Sequence, residues 1–234
     1  MECGSAYVTA ATKSVAKAVT QAVVARPVAL SAWSRSRAKR AFDLVCALGA
    51  MVAALPVMAA VAVLVRLTSR GPVLYRQRRC GTDGSQFELL KFRSMVHDRC
   101  DAGPGLTPAG DPRITPAGRR LRQWKLDELP QLFNVIRGDM SLVGPRPELP
   151  EYVAELPAWQ RQVLSLRPGI TGWATLHSRH EEELLATVAP EMRQEFYRTV
   201  LLPRKIQLDL QYGNRATLWT DIAVLANTFS AILN

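Results

Sequence analysis

Leu44 to Val65, 22 consecutive residues without a charge, constrains this chain more than any other stretch. As a helix it would reach about 33 Å, enough to match the hydrocarbon core of a bilayer. Two features argue against a plain crossing. Pro56 stands in the middle, where it removes a backbone donor and crowds the preceding turn. Both flanks are basic, with Arg35, Arg37, Lys39 and Arg40 before the run and Arg66, Arg70, Arg76, Arg78 and Arg79 after it. The positive-inside rule then gives a spanning helix no preferred orientation. A helix that enters, bends at Pro56 and leaves by the same face satisfies both facts. An ordinary transmembrane helix with a tolerated proline satisfies the length equally well.

The rest of the composition narrows the partners. At 234 residues the chain suits one domain with one buried core plus an anchor. A formal net charge of +10 favours an anionic partner: nucleic acid, anionic lipid or a nucleotide substrate. Nothing resembles a zinc finger or an RNP motif, and the tryptophans are scattered rather than interleaved with basic runs, so nucleic acid is a poor candidate. Cys3, Cys46, Cys80 and Cys100 show no C-x-x-C spacing and read as thiols of a reducing compartment. The first 34 residues are rich in Ala, Val and Ser with weak periodicity, and no convincing signal-peptide cleavage site follows them.

The chemistry concentrates between Lys125 and Pro147. Asp127 and Glu128 stand just ahead of Pro130 and of apolar residues at 129, 132, 133 and 136, a helical spacing. Pro130 suits a first turn, Asp127 falls at or near the N-cap, and Gly138 is a natural stop. A carboxylate so placed faces free N–H groups and is expected to stay ionised. Such a pair alone is most often a plain cap. Its surroundings change the reading: Arg119, Arg120, Arg122 and Lys125 precede it, and Arg137 and Arg146 follow. An ionised carboxylate among so many cations suggests a site for an anionic substrate, and phosphate fits.

The run Leu126-Asp127-Glu128-Leu129-Pro130-Gln131-Leu132, then Asn134-Val135 and Gly138-Asp139-Met140-Ser141-Leu142-Val143-Gly144-Pro145-Arg146-Pro147, resembles the bacterial sugar transferases that act on polyprenyl phosphate. These are the monotopic phosphoglycosyl transferases. The resemblance extends from about Lys39 to Tyr212. It takes in Lys39-Arg40-Ala41-Phe42-Asp43, Gln77-Arg78-Arg79-Cys80-Gly81, Lys91-Phe92-Arg93-Ser94-Met95, and Leu166 to Ala174. It implies a re-entrant helix-break-helix with its break at Pro56, although Leu55 stands where some members have Ser. It also implies that Asp43 pairs with an arginine at the interface.

The fold expected is therefore α+β and mostly helical. A variable N-terminal extension occupies 1–34, and a basic flank with the re-entrant membrane helix occupies 35–70. A small cytoplasmic catalytic domain follows over 71–234, with a short β-hairpin and a C-terminal amphipathic helix. Val73-Leu74-Tyr75 and Phe87 to Phe92 read as the hairpin's strands around an Asp83-Gly84 turn. Lys91 and Arg93 alternate with Phe92, which gives both cations one face and suits a phosphate-facing edge. From His97 to Pro112 the chain reads as a loop. Thr115 caps a helix opened by Pro116 and carrying Arg119, Arg120 and Arg122. Arg113 joins the candidate phosphate-binding set. Pro145 and Pro147 hold Arg146 on a stiff segment suited to clamping phosphate. Gly169 and Gly172 permit close backbone approach, and Lys205, Asp209 and Tyr212 share one helical face. Leu218, Ile222, Leu225, Phe229 and Ile232 have helical spacing for packing on the core or lying at a membrane interface. His177 and His180 have no third ligand and do not read as a metal pair.

What the resemblance implies for function is specific. Asp127 attacks the β-phosphate of a UDP-sugar, UMP leaves, and an aspartyl phosphosugar forms; polyprenyl (undecaprenyl) phosphate then takes the phosphosugar. Glu128 helps hold Mg2+, and Arg122 and Arg146 neutralise phosphate, with Lys91, Arg93 and Arg113 beside them. The product starts a bacterial exopolysaccharide, O-antigen (lipopolysaccharide), capsule or glycoprotein glycan at the cytoplasmic face of the inner membrane, and a homodimer is a further possibility. After Ala174 the chain departs from the family pattern, with Thr175, Leu176, His177, Ser178 and Arg179, which bears on the choice of nucleotide sugar. Two rivals stand beside this reading: an ordinary glycosyltransferase releasing UDP, although no Asp-x-Asp motif is present, and an inactive membrane scaffold of a glycan assembly complex.

Overall fold

The computed structural model describes residues 28–96 and 106–233. Most of the expected N-terminal extension lies outside the described residues, as do Cys3, Cys100, His97 and the first half of the expected loop. Helices predominate, accompanied by two small sheets. After a 3-10 turn at Trp33–Arg35 comes α1, Arg37–Thr68, 32 residues long. Ser36 caps it by accepting from the Lys39 N–H at 2.9 Å. By length and composition this helix is long and apolar enough to cross a membrane. The expected break at Pro56 is not a break in the helix, because α1 continues through it. Proline removes one i→i−4 bond, and the Ala-, Val-, Leu- and Met-rich turns on either side keep their own.

The hairpin forms as expected and extends further than the sequence suggested. Strand β1, Leu74–Cys80, pairs antiparallel with β2, Gln86–Phe92, from Leu74 opposite Phe92 to Cys80 opposite Gln86. Asp83 and Gly84 both take positive φ at the turn, 56° and 78°. Helix α2, Pro116–Gln123, carries the expected cap: Thr115 Oγ1 accepts from the Gly118 N–H at 2.9 Å. A 3-10 turn, Leu126–Glu128, leads to α3, Gln131–Arg137, which ends on Gly138 at φ 106°.

Strand β3, Ser141–Val143, then α4, Pro150–Ala154, precede a second short strand, β4, Gly169–Thr171. Strands β3 and β4 pair in parallel, Ser141 opposite Gly169 and Val143 opposite Thr171. A Cβ on Gly169 would lie 2.2 Å from the Gly144 backbone nitrogen, so the two chain segments touch main chain to main chain. The close approach read from the glycines is thus present, in a sheet that the sequence pattern did not reveal. The remaining helices are α5, Trp173–His177; α6, Glu181–Ala186; α7, Arg193–Phe196; α8, Leu202–Arg215; and α9, Leu218–Leu233. A π-helical turn, Tyr197–Leu201, joins α7 to α8.

One face of α1, from Ala47 and Met51 through Met58 and Val61 to Val65, packs into the same apolar cluster as Phe92, Leu132, Val135 and Met140. Val45, Val52, Leu55, Val63 and Leu67 remain exposed on the opposite side. Both ends of α1 are tied to the same body. At the start, Arg40 donates to the carbonyls of Val135 (2.6 Å) and Ile136 (2.9 Å). Asp43 accepts from Ser141 Oγ and the Leu142 N–H at 2.8 and 3.1 Å, not from the arginine expected as its partner. At the far end, Arg93 donates to the Val65 and Ser69 carbonyls.

Of the two placements expected for the apolar residues of α9, packing on the core does not hold for Ile222 and Phe229. The buried side of the helix carries Asp221 and Val224, while Trp219, Ile222 and Phe229 are exposed. Asp221 governs the rotation. Its carboxylate accepts from Lys39 Nζ (2.5 Å), Trp33 Nε1 (2.9 Å) and Tyr212 Oη (2.6 Å), and a charge with three donors inside cannot be turned outward cheaply.

Candidate active site

Asp127 and Glu128 are presented by a sharp reversal. After α2 the chain turns at Lys125, which adopts a left-handed conformation (φ 53°), and enters the 3-10 turn that contains both acids. A non-glycine residue there carries strain on the order of 1 kcal/mol or more. Pro130, not Asp127, stands at the boundary of α3. Asp127 therefore does not cap that helix, and its expected stabilisation by free N–H groups is missing. Both acids are nearly closed off, at 4 % and 9 % exposure.

Their environments differ. Glu128 Oε1 accepts from Lys91 Nζ and from Arg146 Nη2, each at 2.8 Å. Burial pushes the Glu128 carboxyl up, but Arg146, Lys91 and Lys125 together outweigh it and hold it well below the usual carboxylate range. Asp127 Oδ1 is buried without a hydrogen-bond partner. Burial first, and then the charge of Glu128, raise the Asp127 carboxyl above its ordinary value; Lys91, Arg122 and Lys125 offset this only in part. The expectation of a carboxylate held down by a helix cap is thereby reversed in direction. The neighbouring cations answer in kind: Glu128 raises the Arg146 guanidinium, while burial lowers the Lys91 ammonium against the pull of Glu128.

The structure brings some of the candidate cations to the acids and sends others elsewhere. Lys91, near the end of β2, and Arg146, between Pro145 and Pro147, meet at Glu128. Arg122 lies close enough to act on Asp127 through its charge, and its guanidinium is paired with Glu182 of α6. Arg113 grips Asp111 with two nitrogens, Nε at 3.0 Å from Oδ1 and Nη2 at 2.7 Å from Oδ2. Arg93 falls one residue beyond the end of β2, so alternation no longer sets its direction; its guanidinium serves the Val65, Ser69 and Pro72 carbonyls. Pro56 lies within α1, away from the acids in sequence and in its own element.

Sequence reasoning missed several polar groups that shape the site. Asn134 is 1 % exposed on α3 and bonds to the β2 backbone. A polar residue among buried apolar positions of a helix was the signal available for it. Behind Arg146, Glu148 accepts from Tyr197 Oη at 2.7 Å and pairs with Lys205 at 3.4 Å, and Lys205 also pairs with Glu181 at 3.2 Å. Arg146, Glu148, Lys205 and Asp209 line a cavity of about 30 Å³, room for water but far below the ~300 Å³ of a ligand pocket.

For a divalent cation the donors present are the two adjacent carboxylates, and among the described residues no cluster of three acidic, His or Cys groups supplies a full cage. Mg2+ takes one or two carboxylates and completes its shell with phosphate and water, so a carboxylate pair is the kind of donor set that would hold it. Glu128 is the member of the pair expected to hold such an ion, which leaves the partnerless Asp127 Oδ1 free of that role.

A sequence model described as bacterial sugar transferase matches residues 34–234. An undecaprenyl-phosphate glucose phosphotransferase of Komagataeibacter xylinus is 40% identical over 207 residues, covering 84% of this chain and 36% of the relative. A UDP-glucose:undecaprenyl-phosphate glucose-1-phosphate transferase of Xanthomonas campestris pv. campestris is 41% identical over 202 residues, 84% of this chain and 39% of its own length. Another of that description, from Caulobacter vibrioides, is 39% identical over 203 residues, 83% of this chain and 69% of its own. The chain thus spans well under half the length of the first two relatives. With the family match running from Ser34 to the last residue and taking in Asp127, Glu128, Lys91 and Arg146, the chain belongs to the bacterial sugar transferase family.

Proposed function

We propose that this chain transfers a sugar 1-phosphate from a UDP-sugar to polyprenyl (undecaprenyl) phosphate and releases UMP, through a covalent intermediate on Asp127. The observation that carries this reading is the contrast within one acidic pair: Glu128 held between Lys91 and Arg146, and Asp127 buried with one oxygen unpartnered. A diphosphate repels an attacking anion, so its charge must be neutralised and its phosphorus aligned. Lys91 and Arg122 place positive charge close enough to act on Asp127, and Arg146 joins Lys91 at the neighbouring Glu128. Mg2+ held by Glu128 would add charge neutralisation at the diphosphate.

In the first step an Asp127 carboxylate oxygen bonds to the β-phosphorus, and the bond from that phosphorus to the bridging oxygen breaks. The electron pair leaves with UMP. In the second, a phosphate oxygen of the polyprenyl acceptor bonds to the same phosphorus, the Asp127–phosphorus bond breaks, and the carboxylate is restored. The raised affinity of Asp127 for a proton matches a carboxylate kept desolvated until substrate charge and counter-charge arrive together. The relatives' names include glucose, galactose and N-acetylgalactosamine, so UDP-glucose is the first donor to try rather than the assigned one.

Topology supports a membrane-surface site. A helix crossing the bilayer puts its ends about 30 Å apart on opposite faces. Here Arg40 near one end and Val65 near the other are bonded to a single body, through α3 and through Arg93, while α3 and β2 are themselves joined by Asn134. A re-entrant α1, bent at Pro56 within its continuous helix so that it dips from the cytoplasmic face of the inner membrane and returns to it, is consistent with those ties. It would bring a lipid acceptor alongside the acids. Such a product would start an exopolysaccharide, O-antigen or capsule chain.

The decisive experiment is exchange of labelled UMP into UDP-sugar without lipid acceptor. Exchange with UDP-glucose, UDP-galactose or UDP-N-acetylgalactosamine is expected; release of UDP in the complete reaction would overturn the reading in favour of a glycosyltransferase, and no turnover with any of them would favour a scaffold.

A further inference from the structure

Asn134 stands six positions after Glu128, and its side chain does something no other residue of α3 does. Its Oδ1 accepts from the Leu90 N–H at 3.1 Å, and its Nδ2 donates to the Glu88 carbonyl at 2.7 Å. Glu88 and Leu90 flank Leu89 on β2, so one carboxamide satisfies a donor and an acceptor that an additional strand would otherwise pair. The opposite edge of β2 is already taken by β1. The amide therefore acts as a single rung of sheet, fastening β2 to α3.

The next residue of β2 is Lys91, whose Nζ reaches Glu128. The chain that carries Asn134 is the chain that carries Glu128, separated only by the start of α3. Fastening Leu90 to Asn134 hence fixes the distance between the Lys91 backbone and Glu128. The same side chain also reaches the turn toward the second cation: Nδ2 donates to Asp139 Oδ2 at 3.2 Å. Asp139 lies in the turn from α3 into β3, the strand that leads to Arg146. The Gly138 and Met140 N–H groups bond the Asn134 main-chain carbonyl at 3.1 and 3.2 Å, so those two bonds survive a change of side chain.

We infer that Asn134 is a positioning residue for the reaction, holding Lys91 and Arg146 on Glu128 by clamping β2 and the α3–β3 turn to one carboxamide. The inference rests on the reading of the acidic pair as the reacting site and deepens it. Asn134 does not touch substrate in this account. Its replacement should act through the cations, and a displacement of about 1 Å at such a centre costs on the order of 10²-fold in rate.

A double-mutant cycle separates this from a plain packing role. UMP release is measured from the UDP-sugar panel with undecaprenyl phosphate in detergent micelles, for wild type, Asn134→Ala, Lys91→Met and the double variant, alongside thermal unfolding. Val135→Ala, a buried α3 change that leaves the carboxamide in place, is the stability control. The expected result is a loss of kcat of ~10²-fold for Asn134→Ala, far beyond that of Val135→Ala at a similar drop in Tm, and little further loss when Asn134→Ala is added to Lys91→Met. Fully additive losses, or equal losses in Asn134→Ala and Val135→Ala, would overturn the inference. Unchanged turnover in Lys91→Met would instead overturn the reading of the site itself, and the inference with it. If Asn134→Ala does not fold, Asn134→Asp goes through the same cycle, because it keeps the acceptor for Leu90 and loses the donor to the Glu88 carbonyl and to Asp139.

Discussion

Asp127 and Glu128 are adjacent in the chain, yet the same surroundings drive their carboxyl groups in opposite directions, Asp127 up and Glu128 down. The difference lies in reach. Glu128 extends to Lys91 and Arg146, whereas the shorter Asp127 keeps an oxygen without a partner. Asp127→Asn should abolish both UMP exchange and capture of a phosphosugar on the protein, by at least ~10³-fold in rate. Retained exchange would remove Asp127 from the nucleophile's role.

Arg146 is set on a segment stiffened by prolines on both sides, with Nη2 on Glu128. Arg146→Ala should lower kcat by ~10²–10³-fold, as removal of a charged donor from a transition-state site does. Arg146→Lys should recover only part of this, because an ammonium cannot hold Glu128 and a phosphate with one planar fork. Steady-state kinetics of the two variants decide the matter, and full activity of the lysine variant would show that charge alone suffices.

Much of this was legible in the sequence where the signal is local. Thr115-Pro116 announced a cap, Asp83-Gly84 a hairpin, and Gly138 a helix stop, because each works through its own backbone. What depends on distant partners was not. Asp43 was expected to meet an arginine and meets Ser141 and Leu142; for α9 the apolar spacing left two placements open, and only the burial of Asp221 decides which side faces inward. Arg93 shows the same limit. Period-two alternation assigned it to the face of Lys91, but the strand ends one residue earlier, and the carbonyls at the end of α1 take its guanidinium.

Asp209 is raised to about 7 by burial, with the Ala174 N–H and Lys205 opposing. Below about pH 4 the carboxyl is protonated whether the chain is folded or not. Between there and about 7 the unfolded chain has lost that proton while the fold retains it, so the native state binds more protons and stability falls as pH rises. Asp209→Asn keeps an acceptor for Ala174 and removes the titration. It should flatten the decline, with a gain on the order of 2–4 kcal/mol above pH 7. Denaturation midpoints of the two proteins across pH 4–8 test this; parallel curves would show that Asp209 does not control the slope.

Asp221 closes a buried network at the junction of α1, α8 and α9, with Lys39, Trp33 and Tyr212 as donors. Asp221→Ala strands the Lys39 ammonium in the interior and should cost about 3–5 kcal/mol. Combining it with Lys39→Met should restore part of that loss, since the uncompensated charge is then gone. Chemical denaturation in detergent gives both numbers, and an additive double variant would show that the two side chains do not act as a pair.

The ties at both ends of α1 make its course through the membrane testable by labelling. Arg37 opens α1, Arg70 follows its end, and both are exposed. In a background with the four native cysteines replaced by alanine, cysteines at 37 and 70 are introduced one at a time. A re-entrant helix leaves both on the side that carries Asp127, so a membrane-impermeant maleimide should reach both from that side of a sealed vesicle and neither from the other. A spanning helix gives one label on each side. That outcome would also break the bonds from Arg93 to Val65 and from Arg40 to Ile136, since one body cannot hold both ends of a helix across about 30 Å of hydrocarbon. Loss of those bonds would free β2 at its Arg93 end, and with it the strand that brings Lys91 to Glu128.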